Sequence, residues 1–471
     1  MTYLLGIDIG TSACKAALFD TDGKAVAQAA AEYPVLYPRP GWVEQNPEDW
    51  WRAVQTALRA ILTDVDAEDI AGIGVDGQSW SSILVDKDGA VLANTPIWMD
   101  VRASAECKWI EQRIGAEELF QLSGNPVKPS YTLPKILWFK NHLPQVYQKA
   151  AFVLQSNAFI VCRLTRAITH DASQGYGCQC YNMRKGVWDQ EVLRELGIRA
   201  SLLPTLFPCT QVVGGVSETA ARLTGLKAGT PVVAGGLDAA CGSLGVGVSK
   251  SGQTQEQGGQ AGGMSICIDR YAADKRLILG RHVVPDCWLL QGGTVGGGGA
   301  LKWLRAQLGD DLTFEEMSRL AERVPAGSEG LTFLPYLAGE RSPIWDEQAK
   351  GVLDGLDYTK TRAHIIRAVM EGVAYSLRHN VEVAEEAGAI AGTFHATGGS
   401  ANSLVWTQIK ADVTGRRMAV AASDTATTLG AAILAGVGTG VFSDFETAVQ
   451  QTVHVKREHL PDTASQPIYD A

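Results

Sequence analysis

Three absences narrow the reading of this 471-residue chain. No apolar run reaches the roughly 20 residues that a membrane-spanning helix needs, and the opening MTYLLGIDIG has neither the basic start nor the cleavage site of a secretory signal. Positive charge is not in excess: 41 Lys and Arg against 51 Asp and Glu give a formal net charge of -10, whereas nucleic acid or an anionic membrane would reward a basic face. A disulfide framework is absent too, because the nine cysteines are scattered and odd in number. A cytoplasmic enzyme with no nucleic-acid or membrane partner is expected. Cys178 and Cys180, with His170 and Asp171, are the one group resembling metal ligands. No second pair at zinc-site spacing accompanies them, so they are read as structural.

What is present is an ordinary globular composition, 46% hydrophobic and 20% charged. The chain is too long for one core, so two domains of roughly 200 residues are expected. The most informative stretch is Leu4 to Lys15, LLGIDIGTSACK, in which an apolar strand delivers Asp8 into a Gly-Thr-Ser turn. A second strand, AALFD, follows, so the turn lies in a β-hairpin and not ahead of a helix as in a P-loop or a dinucleotide fingerprint. Such a turn suits a magnesium nucleotide: Gly10 lets backbone approach a phosphate, and Thr11 and Ser12 offer hydroxyl and N–H donors. It is also what any polar turn is made of. A second stretch of the same kind, Val232 to Gly242, VVAGGLDAACG, ends in Asp238, and the two turns together could face one ligand.

Strands and helices alternate along the chain, giving an α/β class. A helix is expected near Pro47 to Leu62, then the strand AGIGVDGQ and a hairpin with Asp88-Gly89 at its tip. Pro126 to Gly225 reads as mostly helical. The second half opens on strands around Gly252 to Cys267 and Cys287 to Gln291. The cluster Gly296 to Gly299 then leads into ALKWLRAQL. That cluster is either a flexible loop or a helix start whose N–H groups suit phosphate or ribose oxygens. Helices follow at Thr361 to Glu386 and from near Ser403, with the strand FHATGG between them, and Gly430 to Leu434 begins a last small-residue helix. The boundaries expected are 1–249, 250–445 and a peripheral tail, 446–471.

Two long patterns carry a family resemblance over nearly the whole chain. SYTLPKILWFKNH, Ser130 to His142, and GVLDGLDYTKTRAHIIRAVMEG, Gly351 to Gly372, match the two signatures of the FGGY carbohydrate kinases, and the chain is most similar to the xylulokinase branch. The resemblance implies two ribonuclease-H-like, actin-like ATPase domains with a nucleotide in the cleft between them. It also implies closure of that cleft to exclude water, and transfer of the ATP γ-phosphoryl group to a hydroxyl of a small ketose or polyol. Residues 1–249 would then hold the sugar pocket, the first phosphate motif and the catalytic aspartate, and 250–445 the nucleotide site.

By the same resemblance Asp8, Gly10 and Thr11, with Ser12 and Lys15 beside them, form the first phosphate motif, and Asp238 is the catalytic base. Asp8 and Asp238 would share the Mg2+ and converge across the interdomain gap. Ala396 to Ser400, followed by Asn402, resembles the adenosine motif, with Gly398 and Gly399 allowing close approach; Gly296 and Gly297 join it on the nucleotide side. Trp98-Met99-Asp100 with Arg102 follows a family stretch that either reaches the substrate or braces its own loop. Glu340 and Arg341 are read as a structural pair. Homodimers are frequent in the family.

Three departures stand out. Gly77-Gln78-Ser79-Trp80 replaces Gly-Gln-Met-His on the sugar side, so Trp80 either stacks on the C–H face of a sugar while Gln78 bonds its hydroxyls, or fills the core. Ala239 stands where asparagine is usual, removing a hydrogen bond to substrate and favouring one that differs from D-xylulose. Gln257 to Gly263, QGGQAGG, lacks the hydroxyl of the usual Gly-Thr-Ser-Gly turn, leaving Gly259 and Gln260 to offer N–H groups. These changes keep open a kinase for gluconate, ribulose or glycerol, or a non-catalytic relative that senses a sugar.

Overall fold

The structure is a computed structural model that describes every residue except 64, 310, 311 and 424. It contains two compact units: 1–249 with 280–287 and 425–453, and 250–279 with 288–424 and 454–471.

In the first unit Ala25–Glu32, Ala13–Phe19 and Tyr3–Ile9 form an antiparallel meander. Ile70–Gly77 and Pro231–Val233 extend it in parallel, and Val212–Gly215 adds an antiparallel edge. Gly236–Leu237 pairs with the far end of Ile70–Gly77. Tyr3–Ile9 is buried on both faces, which explains an apolar sequence interrupted by one charge, Asp8. The helix Pro47–Ile61 starts where Asn46 caps the Glu48 N–H and a proline takes the first position, and it buries Trp50, Val54, Leu58 and Ile61.

The second unit repeats this plan. Trp288–Thr294, Gly262–Ile268 and Thr254–Gly258 form the meander, Phe394–Thr397 and Met418–Ala421 run parallel to it, and Val455–His459 closes the edge antiparallel.

The compact units divide the chain at other places than the expected boundaries. The helix Ala426–Gly438, assigned by sequence to 250–445, lies in the first unit on the glycine-paved face of its sheet. A Cβ on Gly6 would fall on the Thr428 carbonyl and one on Gly74 on the Ala431 carbonyl. Residues 446–471 are no loose tail: Val455–His459 is a strand of the second sheet, and Tyr469 is buried with its hydroxyl donating to Glu371 at 2.8 Å. Helical periodicity reports that a helix is buried, but not which sheet it covers.

Candidate active site

The hairpin places Asp8 at the carboxyl end of the central strand, where it pairs with Lys15 on one side and, in parallel register, with Asp76 on the other. In-register parallel neighbours present their side chains to the same face, so the Asp8 and Asp76 carboxylates lie side by side. Asp76 pairs in turn with Gly236, and Leu237 with Gly77, which brings Asp238 to the same end of the same sheet. Asp8 and Asp238 therefore both belong to the first unit, and the expectation that they meet across a gap between domains is corrected: strand order within one sheet brings them together.

Burial raises the pKa of all three carboxyls. For Asp8 the effect is partly offset by the Lys15 ammonium, whose Nζ is 3.9 Å away. Asp76 is pushed up well above the usual carboxylate range by burial and then by the Asp8 and Asp238 charges. Asp238, half-buried at the start of the helix Asp238–Gly245, is raised to about 7 by burial and the Asp8 charge, against the Ala239 N–H that donates to its Oδ1 at 2.6 Å. Behind it, Ser173 Oγ accepts the Leu237 N–H at 2.8 Å and donates to Asp171 at 2.5 Å. Asp171, read from sequence as part of a structural group, thus fixes the residue before Asp238.

The phosphate turn is tied from four sides. Tyr33 donates its hydroxyl proton to the Gly10 carbonyl at 2.6 Å, Gln45 its amide to the Thr11 carbonyl at 2.7 Å, Trp98 its indole N–H to Thr11 Oγ1 at 3.0 Å, and the Gly10 N–H turns back to Ala13. Ser12 remains exposed. Gln78 is buried and donates to Gln45 at 2.8 Å, so its amide braces this turn while its Oε1 meets no donor. The alternatives for Asp100 and Arg102 resolve to bracing. Asp100 accepts the Val43 N–H and the Arg102 guanidinium, which also reaches Glu44 at 2.7 Å and lies over the Trp42 ring at 4.0 Å, so both brace their own loop.

Trp80 sits at φ 60°, in the left-handed region that disfavours a bulky residue. Its ring meets Tyr131 edge-on with centroids 4.5 Å apart and Tyr176 at 6.0 Å, forming an aromatic wall. The Tyr176 hydroxyl lies by Ser79, and burial, with the Asp238 charge as a lesser cause, pushes its pKa up. Lys135 holds the strained segment: its ammonium is buried and donates to the carbonyls of Trp80 at 3.0 Å, Ile97 at 2.7 Å and Pro96 at 3.4 Å. Burial pushes its pKa down to about 7, with the Asp100 charge pulling the other way. Removing the ammonium orphans the Trp80 carbonyl, while that of Ile97 keeps the Asp100 N–H, so Lys135→Met is expected to cost about 1–3 kcal/mol of stability. Urea unfolding reads this directly, and Lys135→Arg should recover part of it.

In the second unit a cavity of about 790 Å³ brings together Gly259, Gln260, Gly399, Ser400 and Asn402, with Phe314 on its wall. Gly398, at φ 82°, passes so close to Gly258 that a Cβ would not fit. Ser400 Oγ accepts from the buried Lys410, which also pairs with Glu256 at 2.6 Å. The glycine cluster departs from expectation. The N–H of Gly298 donates to the Gly259 carbonyl at 2.8 Å, that of Gly299 to Gln260 at 2.9 Å, and that of Gly297 to Val295 at 3.2 Å. A Cβ on Gly297 would strike Ala261, and one on Gly296 would strike Pro335. Gly297 thus seats the 259–261 turn, Gly296 packs against Pro335, and the donors at 297–299 are spent on the protein. Glu340 likewise accepts the Val295 N–H at 2.7 Å.

Sequence reading missed Asp76, Gln45, Tyr131, Lys135 and Tyr176. Tyr131 and Lys135 stood inside a quoted signature, whereas Asp76 carried no local signal beyond an acid in an apolar strand.

Among the described residues no helix is long and apolar enough to cross a membrane. The structure superimposes with a TM-score of 0.93 on a ligand-bound xylulose kinase from Lactobacillus acidophilus, 28% identical, covering all of this chain and 96% of that one. The chain is 33% identical over 468 residues to a xylulose kinase of Bacillus subtilis (strain 168), covering 98% of this chain and 93% of the relative. It is also 31% identical over 474 residues to a gluconokinase of the same organism, covering 98% and 92%. Residues 3–245 match the N-terminal domain and residues 275–439 the C-terminal domain of the FGGY family of carbohydrate kinases. That family has the actin-like, ribonuclease-H-like α/β fold seen in the two sheets, and it uses ATP as phosphoryl donor, generally with Mg2+. The chain belongs to the FGGY family of carbohydrate kinases and is a sugar kinase.

Proposed function

We propose that this chain transfers the γ-phosphoryl group of ATP to a hydroxyl of a small ketose or polyol of the xylulose type, with Asp238 as base. The observation that carries this reading is geometric: strand register brings Asp238, at the start of its helix, to the same end of the sheet as the Asp8 turn, and burial with the Asp8 charge raises its pKa towards a value suited to a base. A sugar hydroxyl is a weak nucleophile. Asp238 orients it and takes its proton as the hydroxyl oxygen bonds to phosphorus and the bond to ADP breaks. The cavity at Gly259, Gly399 and Asn402 is the site proposed for the adenosine end of ATP.

A cation fits the first unit on chemical grounds, since Asp8 and Asp76 present buried oxygens in a site where, among the described residues, Lys15 is the one cation seen to offset their charge. Mg2+, when bound, neutralises phosphate charge. Asp8 would hold it, with Lys15 and the Thr11 and Ser12 turn serving the phosphates. All nine cysteines are free thiols, in keeping with work in the reducing cytoplasm.

The wall favours the C–H face of a neutral sugar. Gluconate would want a cation for its carboxylate, and Lys135, beneath the Trp80 segment, and Arg102 are spent on carbonyls and carboxylates. One observation favours a sensor instead: the 257–263 turn has no hydroxyl for the γ-phosphate. ADP release measured with xylulose, ribulose, xylitol, glycerol and gluconate tests both readings. A ketose or polyol is expected to stimulate turnover at least tenfold over gluconate. Gluconate as the best substrate would overturn the reading, and sugar binding without turnover would replace it with the sensor.

A further inference from the structure

The strand Ile70–Gly77 ends in a carboxylate that the proposed reaction leaves without a task. Asp76 is fully buried, and among the described residues no N–H or hydroxyl reaches either of its oxygens; the one side chain within hydrogen-bond reach is the Asp8 carboxyl. Buried carboxylates ordinarily collect donors or a cation partner, because desolvation of the charge is otherwise uncompensated. Asp76 instead faces a second carboxyl, Asp8, in direct parallel register, and the one ammonium nearby belongs to the exposed Lys15 on the far side of Asp8. Hydrophobic packing explains neither acid: Val75 and Ile7, the residues just before them, are apolar and fully buried. The site concentrates negative charge where a multivalent cation would offset it.

We propose that Asp76 is the second protein carboxylate of the divalent-cation site, binding Mg2+ together with Asp8. Mg2+ commonly takes one or two carboxylates and completes its shell with phosphate oxygens and water. With Asp76 and Asp8 as the ligands, Asp238 is left unencumbered for proton transfer. The unpartnered oxygens of Asp76 distinguish this pair from a solvated acidic cluster, since they are out of water and aimed at the Asp8 carboxyl.

This inference rests on Asp8 being a cation ligand, and the test separates the two. Mn2+ serves as the probe, titrated into the full chain with saturating ADP and followed by electron paramagnetic resonance of the free ion. Asp76→Asn is expected to weaken Mn2+ binding at least tenfold, with ADP affinity in the absence of metal unchanged within twofold. Asp76→Ser supplies the same readout if the asparagine variant does not fold. Mn2+ affinity within twofold of the parent for Asp76→Asn, alongside a large loss for Asp8→Asn, would overturn the role of Asp76 and leave Asp8 standing. Unchanged affinity in both variants would overturn the two assignments together.

Discussion

Asp238→Asn is expected to lower the rate of sugar-dependent ADP release by about 10²- to 10⁴-fold, the range spanned by loss of a general base. The substitution keeps the size of the side chain and an oxygen for the Ala239 N–H, so the helix Asp238–Gly245 and the residues behind it should stay in place. ATP affinity, measured by calorimetry, is expected to remain within about twofold, since the proposed adenosine cavity is built wholly from the second unit. Full retained turnover would remove Asp238 as the base. The raised pKa gives a second readout. A base must be ionised, so parent activity falls as pH drops through about 7, by about tenfold per unit below it, and the asparagine variant loses that limb. The sign for stability is opposite. A carboxyl whose pKa is higher folded than unfolded favours the folded state at low pH, and that contribution is lost as pH rises through about 7.

Local chemistry made part of this site legible. The Asp8 hairpin and the Asp238 turn each announce themselves within a dozen residues, because an apolar strand ending in glycine and one acid is a self-contained pattern. Asp76 offers the opposite situation. Within GIGVDGQ it is one polar residue in a strand, and its meaning comes from the strands on either side, which start about 70 residues before it and 160 after it. Register between distant strands is a tertiary fact, invisible to periodicity. The same holds for Gln45 and Tyr33, which brace the phosphate turn from elsewhere in the chain. At Gly296 to Gly299 the local rule misled for a related reason. The helix start was real, but the 259–261 turn packs against it and takes its donors. Asp100 and Arg102 were legible as a pair, yet only the surrounding Trp42, Val43 and Glu44 decide that the pair is closed.

Gly74→Val is expected to be the most damaging single change outside the polar site. The helix Ala426–Gly438 runs along the face of the sheet that carries the carboxylates: Thr439 and Ala435 lie over Gly72, Ala431 over Gly74 and Thr428 over Gly6. Its amino-terminal turn therefore approaches the end of the sheet where Asp8 and Asp76 stand. Contact at Gly6 and Gly74 is backbone against backbone, with no flexible side chain to yield, so any larger residue must lift the helix or bend the strand. Overpacking of this kind costs about 3 kcal/mol or more, and a shift of about 6–12 °C in the thermal midpoint follows for a body of this size. The damage should not stop at stability. Gly430 and Gly245 make an equally close crossing between this helix and Asp238–Gly245, a Cβ on either meeting backbone of the other helix. Displacing one helix displaces the segment that begins with the proposed base. Turnover of the folded fraction is therefore expected to fall at temperatures well below the midpoint, while ATP affinity in the second unit is kept. A midpoint within 1 °C of the parent would show that the seam is looser than a glycine-only contact requires.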